Sequence, residues 1–136
     1  MGREILFRGK RVDNGEWIEG FFFQIWERTY ILWGTTNGAP NMIEVDPLTV
    51  GQYTGLTDKS GKKIFEGDIV RHGYTCTYSD GKTADFYSNM PVSFSNHYGG
   101  WIVGVQGILT IKTIQKYSIE IVGNVHDNPE LLGGAE

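Results

Sequence analysis

The sequence predicts a mainly β protein, in which antiparallel strands form a small, barrel-like, curled sheet with a short helical turn near the C-terminus. Two observations carry this prediction: 19 of the 136 residues are glycine, and 13% are aromatic. Glycine readily adopts the positive φ angles of tight turns, and aromatic side chains favour pleated, half-buried surfaces. No segment has the long apolar stripe of an amphipathic helix. Closing the sheet would remove the edges of its many short strands.

Length, charge and cysteine content limit the classes of function. A chain of 136 residues favours one domain, so residues 1–136 are predicted to form a single domain. The net charge of −4 disfavours a sequence-independent nucleic-acid binder. One cysteine cannot form an internal disulfide, and no apolar run reaches the length of a signal-peptide core or a membrane span. We therefore expect a cytoplasmic protein that does not contact a membrane.

The first predicted element is a hairpin over residues 4–26. Its turn is placed at Asp13-Asn14-Gly15-Glu16, because Asn-Gly suits a type I′ turn with two positive φ angles. The register that follows sets these residues opposite one another: Val12 and Trp17, Lys10 and Glu19, Arg8 and Phe21, Phe7 and Phe22. The opposite charges of one pair support this register.

Short strands and a second hairpin are predicted next. Residues 30–33 form a strand after a turn near residues 27–29, and residues 35–41 have the composition of a loop. Residues 43–45 alternate as a short strand that ends before Pro47. Residues 51–70 form a hairpin around Asp58-Lys59-Ser60-Gly61, because Asp at the first position and Gly at the last suit a type I turn.

A third hairpin is predicted over residues 74–87, around Asp80-Gly81. In its expected register Tyr74 lies opposite Tyr87, and Thr75 lies opposite Phe86. Because this hairpin carries few aliphatic side chains, we expect it to project from the core and to be mobile.

The remaining sequence predicts a fourth hairpin and a mixed C-terminal region. Residues 92–95 and 101–105 flank the turn of the fourth hairpin. Residues 107–116 fit a helical stripe of isoleucines, but their β-branched content favours a strand. Residues 117–121 alternate as a strand. Asn128-Pro129-Glu130 starts a helix of about one turn, because Asn caps and Pro suits the first helical position.

The heptapeptide IFEGDIV, residues 64–70, is predicted to be a kink between two strand segments. Gly67 marks a bend, and Asp68 is placed to accept hydrogen bonds from nearby backbone N–H groups. Glu66 and Asp68 could form a catalytic carboxylate pair only with a raised pKa in a pocket. Nothing in the sequence indicates such a pocket, so the structural interpretation is preferred.

No pattern in the sequence indicates catalysis, a cofactor or a metal ion. His72, His97 and His126 lie too far apart for a local metal motif, although distant strands could bring them together. Cys76 has no nearby base or helix N-terminus that would lower the pKa of its thiol. We therefore predict no catalytic, cofactor-binding or metal-binding residues. An enzyme would require one of the histidines and carboxylates to converge in a pocket.

Aromatic residues give the best candidate for an interaction surface, because tyrosine and tryptophan bury a large area at a small entropic cost. The predicted surface consists of Tyr74, Tyr78, Phe86, Tyr87, Tyr98 and Trp101. The preferred interpretation from the sequence is nevertheless that these rings pack the hairpins onto the core.

Three segments of the chain carry a family resemblance. They read ILFRGKRVDNGEWIEG (5–20), EVDPLTVGQYTGLTDKSGKKIFEGDIV (44–70) and IVGNVHDNPELL (121–132). These segments resemble the YopX family, small proteins of bacterial phages and prophages, and leave residues 73–100 as a variable region. The resemblance implies a single, mainly β domain with a barrel-like body and an origin in a phage or prophage genome. It implies no activity and no site residues.

The sequence thus favours a non-catalytic phage accessory protein that binds another protein or itself. The alternative is a nucleic-acid-binding β-barrel, which would combine basic residues with a stacking ring such as Trp17. Its basic residues would be Arg3, Arg8, Lys10, Arg11, Lys59, Lys62 and Lys63.

Overall fold

The computed structural model describes residues 3–105 and 107–132 and confirms the mainly β, antiparallel fold. The strands form two sheets with open edges rather than a closed barrel. The chain divides into two compact units, residues 1–55 and 56–136. That the whole chain is one domain stays a prediction.

The first unit is a sheet with the strand order β4-β3-β2-β1-β5. Its strands are β1 (Phe7–Lys10), β2 (Trp17–Ile25), β3 (Arg28–Thr36), β4 (Ala39–Val45) and β5 (Gly51–Thr57), whose last two residues belong to the second unit. A 3-10 turn, Pro47–Thr49, follows β4, and the side chain of Asp46 caps it. One face of this sheet carries the buried side chains of Thr29, Ile31 and Val45.

The predicted register of the first hairpin is wrong by two residues. Arg8 lies opposite Glu19, and Lys10 lies opposite Trp17. Only Gly15 of the Asn-Gly pair has a positive φ, of 74°, so the type I′ turn does not form. A longer loop closes instead, with a hydrogen bond of 2.9 Å from the Arg11 N–H to the Glu16 carbonyl. The Arg11 guanidinium also donates to Asp13 and lowers the pKa of that carboxyl.

The loop predicted over residues 35–41 is also wrong, because β3 and β4 continue through it to a two-residue turn. Asn37 and Gly38 have φ angles of 52° and 81°. Both angles are positive, as a type I′ turn requires. The Asn-Gly signal therefore holds at this second site in the chain and fails at the first.

The second unit contains a sheet with the strand order β10-β9-β8-β7-β11 and one short helix. Its elements are β6 (Lys63–Phe65), β7 (Asp68–Thr77), β8 (Thr83–Ser95), β9 (Gly100–Val103), β10 (Gly107–Ile108), α1 (Ile111–Lys116), β11 (Glu120–Asn124) and a 3-10 turn, Pro129–Leu132. Its core consists of Ile64, Val70, Val92, Val103, Leu109, Ile114 and Ile119. The second and fourth hairpins and the C-terminal helical turn are confirmed.

The hairpin around Asp80-Gly81 forms, but its predicted register is wrong by one residue. Tyr74 lies opposite Phe86, and Thr75 lies opposite Asp85. The loop has three residues rather than two, because the Tyr78 N–H donates to the Lys82 carbonyl at 2.8 Å. Since successive side chains alternate between faces, this shift puts Tyr74 and Tyr87 on opposite faces.

Residues 111–116 form helix α1, so the preference for a strand there is wrong. Thr110 caps the helix by accepting a hydrogen bond from the Thr113 N–H, and the Thr113 hydroxyl accepts one from the Thr110 N–H. Burial of Ile114 on the core side outweighs the β-branched composition. The following strand begins at Glu120 rather than at Tyr117.

Candidate binding surfaces

The kink predicted at residues 66–68 is confirmed. Strand β6 ends at Phe65, Gly67 has a φ of 93°, and β7 begins at Asp68. Asp68 is only 2% exposed, and its carboxylate accepts a hydrogen bond of 2.7 Å from the Phe65 N–H. The carboxylate therefore holds the backbone of the bend.

The histidines and the cysteine lie in separate places. His72 is on β7 and stacks on the ring of Tyr117, with 4.2 Å between ring centroids. Burial lowers its pKa. His97 contacts Tyr98, and Cys76 lies opposite Ala84 near the far end of β7. In residues 3–105 and 107–132, no group of three or more His, Cys, Asp or Glu side chains has an arrangement that could hold a metal ion.

The six predicted surface aromatics are distributed over several places. Tyr74 and Phe86 stack, with 5.6 Å between their centroids. Tyr87 lies on the opposite face of the same hairpin, and Tyr78 lies at the start of its turn. Trp101 packs against the core and contacts Phe94, whereas Tyr98 lies in the β8–β9 turn. Of the six predicted residues, only Tyr74 and Phe86 therefore form a described ring contact with each other.

Residues 73–88 form a two-stranded extension, which we call the arm. Strand β11 pairs with β7 only up to Arg71, and β9 pairs with β8 only from Val92 onward. Among the strands that the structure describes, the arm's strands therefore pair only with each other. Natural proteins block such edges with lysine, proline or bulges, and the sequence TADFYS of its second strand contains neither lysine nor proline.

The first unit has an exposed apolar face that the sequence analysis did not identify. Its side chains form cross-strand rows on β2, β3 and β4, and we call this surface the open face. It comprises Trp17, Phe21, Phe23, Ile25, Tyr30, Leu32 and Met42. Phe21 is 56% exposed and Met42 49%, whereas Ile31 on the opposite face is fully buried. A monomeric antiparallel sheet commonly has a polar outer face, so this face is a candidate binding surface.

Charges of both signs border the open face. Arg8 lies opposite Glu19 at one end, with the guanidinium carbon 4.6 Å from the ring centroid of Trp17. Arg28 and Glu44 form an ion pair of 3.5 Å near the other end. The centre of the face is apolar, with Phe21, Leu32 and Met42 in one row.

A groove of about 450 Å³ lies in the second unit, at the base of the arm. It is lined by Lys59, Arg71, Gly73, Tyr74, Thr75, Asp85, Tyr87, Lys116, Tyr117 and Ser118. Tyr74 and Tyr87 belong to the aromatic set predicted from the sequence, and Lys59 belongs to the basic set predicted for nucleic acid. No sequence pattern could have found the groove, because its lining comes from four separate segments.

The basic residues proposed for nucleic-acid binding belong to both units. Four of them, at residues 3–11, lie in the first unit, and the three at residues 59–63 lie in the second. Within the first unit, Arg8 and Lys10 both approach the ring of Trp17.

Within the described part of the chain, no helix is long and apolar enough to cross a bilayer.

Comparisons with known proteins place this fold in a family. The crystal structure of protein EF1440 from Enterococcus faecalis is similar, with a TM-score of 0.60 over 97% of this chain and 100% of that chain. The two sequences are 20% identical, so the likeness shows the fold alone. No curated protein matches the chain. The family model described as YopX protein matches residues 6–133, and the chain therefore belongs to the YopX family.

Proposed function

We propose that this protein is a non-catalytic binding module that associates with a second copy of itself through the open face. The observation that carries the proposal is the exposure of Phe21, Ile25 and Met42 on a sheet whose other face carries the buried Ile31 and Val45. Burial of exposed apolar surface stabilises an association by roughly 25 cal/mol per Å² before its entropic costs. A face that already has its bound conformation keeps those costs small.

The charges at the border of the open face favour a second copy as the partner. A two-fold axis through the row of Phe21, Leu32 and Met42 would bring the Arg8 and Glu19 end of one copy to the Arg28 and Glu44 end of the other. Glu19 on β2 would then lie one strand away from Arg28 on β3 of the other copy, and such an opposite-charge contact suits an isologous interface. The net charge of −4 disfavours nucleic acid as the partner.

The oligomeric state in solution tests this proposal. Light scattering after size exclusion should give a dimer for the natural protein and a monomer for the double variant Phe21→Ser, Met42→Ser. The control is Ile111→Ser, which removes an apolar side chain of similar exposure from α1 in the second unit. Circular dichroism should show all three proteins folded. A natural protein that is monomeric at all concentrations would contradict the proposal.

The same proteins distinguish a nucleic-acid partner. We expect no gel shift with single-stranded DNA or RNA at low salt. A shift that is lost in Phe21→Ser, Met42→Ser and retained in Ile111→Ser would instead assign the open face to nucleic acid, with its rings as a stacking platform.

The arm is a second candidate surface for self-association. Its support is its unpaired strand edges, because an exposed edge can add a strand from another chain. The variant Tyr74→Ser, Phe86→Ser separates the two surfaces. Retention of the dimer in this variant would favour the open face, and conversion to a monomer that stays folded would favour the arm.

The family resemblance supports the wider role. We infer that the protein is an accessory protein of a phage or prophage, acting in the cytoplasm of the bacterial host. A pull-down from host cells after phage induction should recover the protein with a second, tagged copy of itself. Recovery of a different phage or host protein, without the second copy, would contradict self-association and would identify that protein as the partner.

A further inference from the structure

Three cations from three different elements converge on the groove at the base of the arm. Lys59 comes from the turn before β6, Arg71 from β7 and Lys116 from the end of α1. Asp85 is the one carboxylate among the lining residues, and it accepts a hydrogen bond of 2.7 Å from the Thr75 hydroxyl. The groove therefore has three cations and one carboxylate in its lining, in a chain whose net charge is −4.

Two of these cations share a carboxylate at the edge of the groove and keep donors for a ligand. Glu120 lies 3.4 Å from an Arg71 nitrogen and 3.7 Å from the Lys59 nitrogen. Both distances exceed the roughly 2.7–2.9 Å of a strong charged hydrogen bond. Since a guanidinium has five N–H donors and an ammonium three, an incoming anion can bind both side chains while Glu120 holds them in place.

Tyr87 lines the groove on the same face of the arm as Arg71. The Arg71 guanidinium carbon lies 5.4 Å from the centroid of the Tyr87 ring. Gly73 forms the floor, where a β-carbon would lie only 3.0 Å from the Tyr87 ring and 3.4 Å from the Tyr117 carbonyl oxygen. Gly73 thus leaves room for the Tyr87 ring beside the strand. A planar group could stack on this ring while its anionic part faces the cations.

We propose that the groove binds a phosphate monoester joined to a planar ring, with the chemistry of a nucleoside monophosphate. The groove volume of about 450 Å³ is within the range of small-molecule sites, roughly 300–1,000 Å³. Arg71 and Lys59 would hold the phosphate, Lys116 would approach it from the helix, and Tyr87 would stack on the ring. This binding does not depend on self-association.

Titration of ¹⁵N-labelled protein with adenosine 5′-monophosphate tests the proposal. We expect saturable shifts of the backbone amides of residues 71–75, 85–87 and 116–118. Adenosine and inorganic phosphate, titrated separately, should each bind more weakly than the monophosphate by at least about tenfold, because each lacks one half of the recognition. Equal binding of either fragment, or no saturable shift with the monophosphate, would overturn the proposal.

Charge-removing variants locate the binding to the groove. Lys116→Gln should weaken the monophosphate by at least about threefold, and Arg71→Gln by about tenfold, since the arginine offers several charged hydrogen bonds. Lys112→Gln is the matched control, because it removes a lysine from the same helix that does not line the groove. We expect the control to bind as the natural protein does. Equal weakening in Lys112→Gln and Lys116→Gln would show general charge attraction and would overturn the assignment.

Discussion

The open face and the arm are both aromatic surfaces on antiparallel strands, but only the open face has buried side chains on its reverse side. Behind Phe21 and Met42, the reverse side of the sheet carries the fully buried Ile31. The arm exposes Tyr74 on one face and Tyr87 on the other. Two strands alone are marginally stable in water. Aromatic content alone therefore does not define a binding surface. Buried side chains on the reverse face of the sheet are also needed, because they fix the geometry of the exposed ones.

The largest expected effect comes from a substitution on the buried face of the same sheet, behind the open face. In Gly20→Ala the new β-carbon would lie 2.1 Å from the backbone oxygen of Leu32, so β2 and β3 must separate. We expect a loss of about 3 kcal/mol in the free energy of unfolding, measured by urea denaturation. The control is Gly34→Ala, where nothing lies within 4 Å and the change should be below about 1 kcal/mol. Equal losses would contradict the described packing.

The next effect compares two turns with the same backbone geometry. Gly61 and Gly81 both have a φ of 87°. The buried Asp58 carboxylate accepts from the N–H groups of Ser60, Lys62 and Ile121, whereas the exposed Asp80 accepts only from Lys82 among the bonds described. Asp58→Ala should therefore cost about 3 kcal/mol and Asp80→Ala less than about 1 kcal/mol in thermal or urea unfolding. A comparable cost for both would show that the arm is as firmly anchored as the core.

A smaller effect is expected from the arm's own rings. Tyr74→Ser with Phe86→Ser removes a stacked cross-strand pair and should lower the free energy of unfolding by about 1 kcal/mol. Such a small cost would agree with side chains that pack mainly on each other. A cost above about 3 kcal/mol in urea denaturation would mean that the arm contributes to the core.

The smallest effect concerns the pH dependence contributed by His72 at the base of the arm. Burial lowers the pKa of this imidazole below its ordinary value of 6.5, so folding favours the neutral form. Its contribution to stability is therefore complete above pH 6.5 and is lost as the pH falls through the lower pKa of the folded state. The urea midpoint should fall less between pH 7.5 and 5.5 in His72→Gln than in the natural protein. An unchanged pH dependence would contradict this role.

The sequence predicted the elements of the fold better than their registers. Glycine and acidic residues at turns gave the hairpins around Gly61 and Gly81, because these signals act over a few residues. The registers failed because one additional loop residue changes every pairing, and the loop length at Gly15 and Gly81 depends on local hydrogen bonds. Helix α1 was missed because burial of Ile114 overrides a weak propensity.

The binding surfaces were harder to predict than the fold. The predicted aromatic set came from composition, and a shift of one residue in the arm separated Tyr87 from Tyr74. The open face did have a signal. The run Phe21-Phe22-Phe23 places apolar side chains on both faces of the strand. A strand with one solvent-exposed face would normally alternate apolar and polar residues. The groove had none, since Lys59 and Lys116 meet only through the tertiary fold.

The most direct test of the account is an isotope-filtered nuclear Overhauser experiment on an equal mixture of ¹³C-labelled and unlabelled protein. If two copies associate through the open face, the ε-methyl group of Met42 in the labelled copy should show contacts to aromatic protons of the unlabelled copy. Intermolecular contacts that involve Tyr74 and Phe86 instead, or their complete absence at millimolar concentration, would contradict self-association through this face.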